Sequence, residues 1–457
     1  MLPPDRPSIR PTRRDWLKAV AADAATLPLG CFLLHAGEAR GRDAVGDAKL
    51  DYREIERVLW RGVLDAWYPR CLDKEGGGFF ENFSEDWTRQ PADTKFIVFQ
   101  ARMTWTAAAV AAKYPRHRER FLSYARHGLA FLAGPMWDRR HGGFLERAAP
   151  DGRPDPNQLP WKQMYGQAFG IYGAAEAYRV TGDRKALDLA IQGFRWIDRH
   201  AHDPEAGGYF ELLTGEGQPV ALISEPERPP GRFGIIGRVG QKSMNAHIHI
   251  LEALTALRQV WNDPVLAERL DEVFRIVRDK IVCRGGHLAM FSTRDFRPLD
   301  ERSSFGHELE TAFLLLEAEE VLGRHEAATV EVARRLVDHS LRFGWDAKHG
   351  GFFDEGPPDA PPVHRNKVWW AQPEAFNGLL SIARLPGQQD PRYFDTFVRT
   401  WQFFRDHFMD AHHGGCFGAV DEAGQPLPDG RAKASPWKAA YHVVRGLLFA
   451  IDELRKP

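Results

Sequence analysis

Paired glycines return six times along the 457 residues, with first members at Gly77, Gly142, Gly207, Gly285, Gly350 and Gly414. The steps between them are 65, 65, 78, 65 and 64 residues. Five pairs have an aspartate four residues ahead, at Asp73, Asp138, Asp203, Asp346 and Asp410, and an aromatic residue usually follows. A fixed period of this length means one structural unit repeated. Each interval has room for two amphipathic helices, because apolar residues recur at three- and four-residue spacing in stretches such as Ala168 to Tyr178 and Leu266 to Val277. The pattern predicts helices over 50–68, 97–113, 117–133, 161–180, 184–200, 241–260, 264–281, 305–322, 325–342, 367–384, 391–408 and 436–454. Ser435-Pro436 reads as an N-cap with proline at the first helical position.

The first helix precedes the first glycine pair and the twelfth follows the last, so the sixth pair of helices is complete only if the two ends meet. An open stack would need polar caps, whereas the first helix carries an apolar face of Ile55, Val58, Leu59 and Leu64. The expected fold is therefore all-α, an (α/α)6 barrel of twelve helices. The glycine pairs turn short hairpins at one rim, and the repeated aspartate is a turn-former rather than a catalytic acid.

With 43% hydrophobic residues the chain can bury a large core, and the repeat favours one catalytic domain over 45–457 rather than several. Lys and Arg number 61 against 62 Asp and Glu, interspersed, so nothing points to nucleic acid or to an anionic membrane. The N-terminus differs. Thr12-Arg13-Arg14-Asp15-Trp16-Leu17-Lys18 resembles a twin-arginine export signal, followed by an alanine-rich apolar run and Gly37-Glu38-Ala39 as a small-x-small cleavage site. That reading assigns 1–39 to export and the protein to the periplasm or exterior. Asp23 and Pro28 interrupt the apolar run, and a disordered basic tail on a cytoplasmic protein is the alternative. Cys31 follows Gly30 as a lipidated cysteine would, but Pro28 stands where leucine is expected. Cys71, Cys283 and Cys416 form neither a disulfide framework nor a metal cluster, and no cofactor or metal is expected.

Chemically capable residues fall in common phase. Counted from the first glycine of each pair, Arg102 lies at +25, Tyr165 at +23, His307 at +22, Glu310 at +25, Trp370 at +20, Glu374 at +24, Trp437 at +23 and His442 at +28. His249 lies at +29 once the 13 extra residues of the third interval are removed. In a ring these residues converge on one end of the central cavity, where a packed core would not place Arg, Glu and three His. His307 and Glu310 share a helix face at three-residue spacing, so the carboxylate is expected to hold the imidazole's tautomer. Asn245 and His249 share a face four apart, while His247 points elsewhere in a structural role. Trp369, Trp370 and Trp437 offer flat faces to a sugar ring, with core packing as the alternative for Trp369. The Pro- and Gly-rich segment from Thr214 to Lys242 reads as a loop at the cavity mouth.

The motifs Ala101-Arg102-Met103-Thr104-Trp105-Thr106, Tyr165-Gly166-Gln167-Ala168-Phe169, Asn245 through Ala253, Phe305-Gly306-His307-Glu308-Leu309-Glu310, Trp369 through Ala375 and Trp437 through His442 occur in this order. Together they resemble the N-acylglucosamine 2-epimerase superfamily, and within it the cellobiose 2-epimerases, over nearly all of the chain after the N-terminal segment. The resemblance implies an (α/α)6 barrel and C2 inversion at the reducing end of a sugar, such as a β-1,4-linked disaccharide. It implies that His307 and His442 act as acid and base, that Glu310 supports His307, and that His249 assists ring opening. Arg102, Tyr165, Asn245, Glu374 and the three tryptophans would contact the sugar. The expected partner is a small carbohydrate, with the protein a monomer or homodimer not inserted in a membrane. Aldose–ketose isomerisation, 2-epimerisation of mannose or N-acylglucosamine, glycoside hydrolysis by paired carboxylates, and non-catalytic sugar binding are the rival readings.

Overall fold

A computed structural model describes residues 50–153, 155, 161–222, 240–299 and 302–456. The expected export signal with Cys31, and the middle of the long loop at 223–239, lie outside the described residues. Among the described residues twelve long helices alternate around a ring. The odd-numbered, outer helices are α1 (Tyr52–Arg57, continuing through Val58–Leu64 and Asp65–Trp67), α3 (Arg118–Ala133), α5 (Arg184–His200), α7 (Pro264–Ile276 and Val277–Ile281), α9 (Ala327–Phe343) and α11 (Arg392–Phe403 and Phe404–Phe408). The even-numbered, inner helices are α2 (Ile97–Lys113), α4 (Met164–Thr181), α6 (Met244–Val260), α8 (Phe305–Leu322), α10 (Ala371–Ala383) and α12 (Tyr441–Arg455). Each inner helix packs on the next, and α12 returns to both α1 and α2, which closes the (α/α)6 barrel.

The two helix classes differ because their surroundings do. Outer helices bury one stripe, such as Leu187, Ala190, Phe194 and Ile197 of α5, and turn charged residues outward. Inner helices are buried nearly all round. Close packing between them relies on small residues: a Cβ at Gly446 of α12 would meet the carbonyl oxygen of Pro373 on α10 at 2.6 Å.

The glycine pairs turn hairpins as expected. Both members take positive φ in every unit except the fourth, where only Gly286 does. Each aspartate shapes its turn, as Asp73 Oδ1 does by accepting from the Gly76 backbone N–H at 2.8 Å. It also carries an unforeseen ion pair. Its other oxygen meets a buried lysine ahead of the next inner helix, in the pairs Asp73–Lys95, Asp138–Lys162, Asp203–Lys242, Asp346–Lys367 and Asp410–Lys433. The fourth unit has Cys283 and Ser303 in the corresponding stretches, so there the pair is missing on both sides.

Two further contacts repeat at this rim. Gln100, Gln167 and Gln372 each hold both the N–H and the C=O of the residue after a glycine pair, at 2.7–2.9 Å. His247 takes the third unit's place, with Nε2 accepting from Tyr209 N–H at 3.2 Å and Nδ1 donating to Ser243 O at 2.8 Å. Glu81, Glu146 and Glu211 accept the N–H of Phe96, Gln163 and Ser243, the residues that cap α2, α4 and α6.

Four inner helices start later than the periodicity suggests, three of them because a strand comes first. Trp161–Gln163, Lys242–Ser243 and Lys367–Val368 are short antiparallel strands paired with Leu212–Thr214, Phe291–Ser292 and Ala419–Val420. The lysine of each ion pair sits in its strand, and that tether holds the backbone extended. Ser435-Pro436 does not open a helix either. Ser435 Oγ accepts from Lys438 N–H at 3.2 Å in a tight turn, and α12 begins at Tyr441. The sixth unit is closed by the opposite end of the chain, through the bridge Phe83↔Ala434 and the ion pair Arg455–Glu56.

Candidate active site

The rim contacts decide which way each inner helix faces. Two positions along a helix turn a side chain to the far side. Gln100 faces its hairpin, so Arg102 faces the barrel axis; His247 and His249, and Gln372 and Glu374, stand in the same relation. This is why two imidazoles two residues apart have unlike surroundings.

Ten residues enclose a cavity of about 180 Å³ at the N-terminal ends of the inner helices. They are Arg102, Tyr165, Asn245, His249, His307, Glu310, Trp369, Trp370, Trp437 and His442, all but one of the site residues expected from phase and resemblance. Larger clefts of about 770 and 610 Å³ flank α1 on the outside. Those are lined by exposed arginines such as Arg57 and Arg61, and neither brings imidazoles onto a shared axial space.

Each imidazole is oriented from behind. His442 Nδ1 donates to Glu374 Oε1 at 2.7 Å, and His249 Nδ1 donates to Glu252 Oε2 at 2.9 Å. A carboxylate only accepts, so both rings carry their proton on Nδ1 and leave Nε2 as a lone pair. His307 Nδ1 meets the Ser304 hydroxyl at 2.7 Å. A hydroxyl both donates and accepts, so His307 can exchange tautomers where the other two cannot. Trp370 flanks two of the rings, with centroids 4.5 Å from His307 and 5.8 Å from His442.

Two expectations are corrected. Glu310 does not hold the His307 tautomer; its carboxylate turns to Arg445, and Ser304 takes the place beside Nδ1. Glu374, expected to touch the sugar, does not border the cavity. It is wholly buried, its oxygens shared among His442, Arg445 at 2.7 Å and the Asn377 amide at 2.9 Å.

Glu252, Ser304 and Arg445 were not singled out from the sequence. Arg445 pairs with Glu252, Glu310 and Glu374, and its Nη1 donates to the Tyr441 hydroxyl at 2.6 Å. A spacing signal was available, since His249 and Glu252, and His442 and Arg445, stand three apart like His307 and Glu310. Two triads at this site, His249/Glu252/Glu310 and Glu310/Glu374/His442, are compact enough to surround a cation. The Arg445 guanidinium already bridges their carboxylates, so these donor sets are not free to take a metal.

Burial sets the protonation states. It depresses His307 to about 4 despite the opposing pull of Glu310, and lowers His442 well below the usual imidazole range, with Arg102 acting in the same direction. Burial also lifts Glu374 against the pull of Arg445, whereas for Glu252 Arg445 and His249 outweigh burial and hold it at about 2.

Arg102 completes the cavity. Its Nη2 donates to the Tyr165 hydroxyl at 2.8 Å, its Nη1 to Trp437 O at 3.3 Å, and its guanidinium lies 4.4 Å from the Phe169 ring centroid. Arg102 Nε, Asn245 Oδ1 and Trp369 Nε1 are buried with no protein partner. Buried donors and acceptors are rarely left unpaired, and these three atoms are open to a polar partner.

The family model described as N-acylglucosamine 2-epimerase matches residues 78–224 and 235–446. A cellobiose 2-epimerase of Bacteroides fragilis is 29% identical over 392 residues, covering 85% of this chain and 96% of that protein. The solved cellobiose 2-epimerase of Spirochaeta thermophila superposes with a TM-score of 0.75 at 31% identity, covering 88% of this chain and 96% of that one. A D-mannose isomerase of Marinomonas mediterranea is 22% identical over 393 residues, covering 83% of this chain and 91% of that protein.

Proposed function

From the N-acylglucosamine 2-epimerase family, to which this chain belongs as a carbohydrate epimerase or isomerase, we propose that it inverts C2 at the reducing end of a β-1,4-linked disaccharide such as cellobiose or mannobiose. The observation that carries this reading is the set of three imidazoles around one cavity, two with Nδ1 fixed by a buried carboxylate. Proton transfer at carbon needs a base whose lone pair is aimed and ready, and neutral imidazole supplies it near neutral pH.

In the open-chain sugar the C2 proton is acidified by the C1 aldehyde. His442, with Nδ1–H held by Glu374, takes that proton on Nε2, and the imidazolium that forms is stabilised by the carboxylate behind it. The negative charge that develops on O1 faces Arg102, whose unpartnered Nε can donate to it, and the N-terminal ends of six inner helices point the same way. His307, entering this step as the imidazolium, gives its Nε2 proton to the other face of C2, and the Ser304 hydroxyl accepts from the Nδ1–H that remains. His249 moves a proton between the ring oxygen and O1 as the ring opens and closes. Trp369, Trp370 and Trp437 lie against the sugar's C–H faces, while Tyr165 and Asn245 bind hydroxyls.

Isomerisation is the second reading, favoured by the D-mannose isomerase relative. It shares the first proton abstraction and differs only in returning the proton to C1. Hydrolysis is disfavoured, because the carboxylates of Glu310 and Glu374 are both tied to Arg445 and unavailable as a flanking pair. Incubation with cellobiose, mannobiose, mannose and N-acetylglucosamine, followed by chromatographic separation of epimer, ketose and monosaccharide, tests the proposal. A C2 epimer of a disaccharide supports it; ketose alone would move the assignment to isomerase, and no product from any disaccharide would overturn it.

A further inference from the structure

Arg445 touches no part of the cavity, yet it is the one group common to the carboxylates behind His249 and His442 and to Glu310. Glu252 on α6, Glu310 on α8 and Glu374 on α10 converge on its guanidinium from three helices. From α12 it meets the Tyr441 hydroxyl, which also donates to Glu252 at 2.6 Å. From α2 the remaining cation is Arg102; from α4 come the hydroxyls of Tyr165 and Tyr172, both pushed by burial further into the neutral range.

The charge count is uneven. With every carboxylate ionised and every imidazole neutral, three negative groups face two guanidiniums, leaving one unbalanced negative charge among buried residues. Such a charge is strongly unfavourable away from water, so the cluster relieves it by keeping one proton. His307 carries it when His442 acts as base, and the His442–Glu374 pair carries it, on Nε2 with the 2.7 Å contact shared between the partners, when the reaction runs the other way.

Resting on the reading of this site as a proton-transfer centre, we propose that Arg445 is a positioning residue that sets the proton count of the site, so that the His249, His307, His442 and Glu374 cluster holds one mobile proton near neutral pH. One proton is what a two-base inversion requires: with none the site has no acid to reprotonate C2, and with two it has no base to begin. A second buried cation would empty the site of that proton. The loss of Arg445 would add another.

The test is the pH profile of kcat/KM in the parent enzyme and in Arg445→Met, Arg445→Lys and Glu310→Gln, alongside an NMR titration of the imidazoles without substrate. Removing the cation favours protonated imidazole, so in Arg445→Met the acidic limb and the imidazole titrations move up by about 1–3 pH units. Arg445→Lys keeps both near the parent's positions. Glu310→Gln removes a negative charge and moves both down. Should Arg445→Met fail to fold, the isosteric Glu310→Gln still reads the sign. Profiles that fall in height without moving along the pH axis, with unmoved imidazole titrations, would overturn the proposal and leave Arg445 a purely structural clamp. The titrations need no turnover, so a parent inactive on every sugar would count against the assigned reaction and leave this inference to be judged on the titrations alone.

Discussion

Glu374→Gln separates a group that orients a base from a group that binds sugar. The change keeps the shape of the side chain, and two neighbours constrain how the amide can lie. Arg445, 2.7 Å away, only donates, and the Asn377 Nδ2 at 2.9 Å donates to the same oxygen. The amide oxygen must therefore face Arg445 and Asn377, which turns the NH2 toward His442 Nδ1. Faced with a donor, Nδ1 becomes the acceptor and the proton moves to Nε2, the nitrogen proposed to abstract the C2 proton. General base catalysis is worth roughly 10²–10⁴-fold. A loss near the middle of that range, about 10³-fold in kcat, corresponds to about 4 kcal/mol of transition-state stabilisation. Stability should change little, because Arg445 keeps Glu252 and Glu310 as partners and no charge is stranded. Initial rates across substrate concentration, with a melting curve as control, measure both. The expected result is a large fall in kcat with KM nearly unchanged. A raised KM with kcat intact would return Glu374 to the sugar, and a loss under about tenfold would refute the tautomer argument.

Other outcomes follow from the same geometry. Ser304→Ala should lower kcat only about 3–10-fold, the worth of one neutral hydrogen bond, since His307 keeps its place beside Trp370. Arg102→Met should cost about 10²–10³-fold in kcat/KM, the usual loss on removing a donor to a developing oxyanion, measured on limiting sugar. Lys367→Met strands Asp346 in the protein and should destabilise by about 3–5 kcal/mol in chemical denaturation, while specific activity of the folded fraction holds. Stability should also depend on pH in two directions. Burial raises Glu81 to about 8 and Glu146 and Glu211 to about 7, so their stabilising contribution is complete below the unfolded value of about 4.3 and is lost as pH climbs through 7–8. Asp73, Asp138, Asp346 and Asp410 are held low by their lysines against the opposing effect of burial, so their contribution is present above about 3.9 and lost as pH falls below it. A melting-temperature profile should therefore peak on the acidic side of neutrality; a maximum above pH 8 would contradict these assignments.

The barrel was legible because its signal is periodic: six glycine pairs and an apolar first helix leave a closed ring as the consistent solution. Residue phase brought Arg102, His249, His307 and His442 to one cavity by the same logic. What the periodicity concealed is pairwise. Nothing in the spacing of Asp346 and Lys367 shows that they meet, and that meeting is what turns Lys367–Val368 into a strand instead of a helical turn. Glu310 shares a face with His307, but sharing a face does not decide which neighbour a carboxylate chooses; a guanidinium arriving from α12 outcompetes a neutral imidazole on its own helix. Arg445 itself lies 135 residues from Glu310 and 193 from Glu252, contacts that exist only once the ring has closed.

The central claim is proton exchange at C2, and it is tested most directly by incubating the enzyme with cellobiose in D2O and locating deuterium by NMR. Deuterium at C2 of both the recovered sugar and its epimer is the predicted result, with exchange and epimer both abolished in His442→Ala and the epimer abolished in His307→Ala. Deuterium at C1 with a ketose product, or a C2 proton that never exchanges while monosaccharide is released, would contradict it.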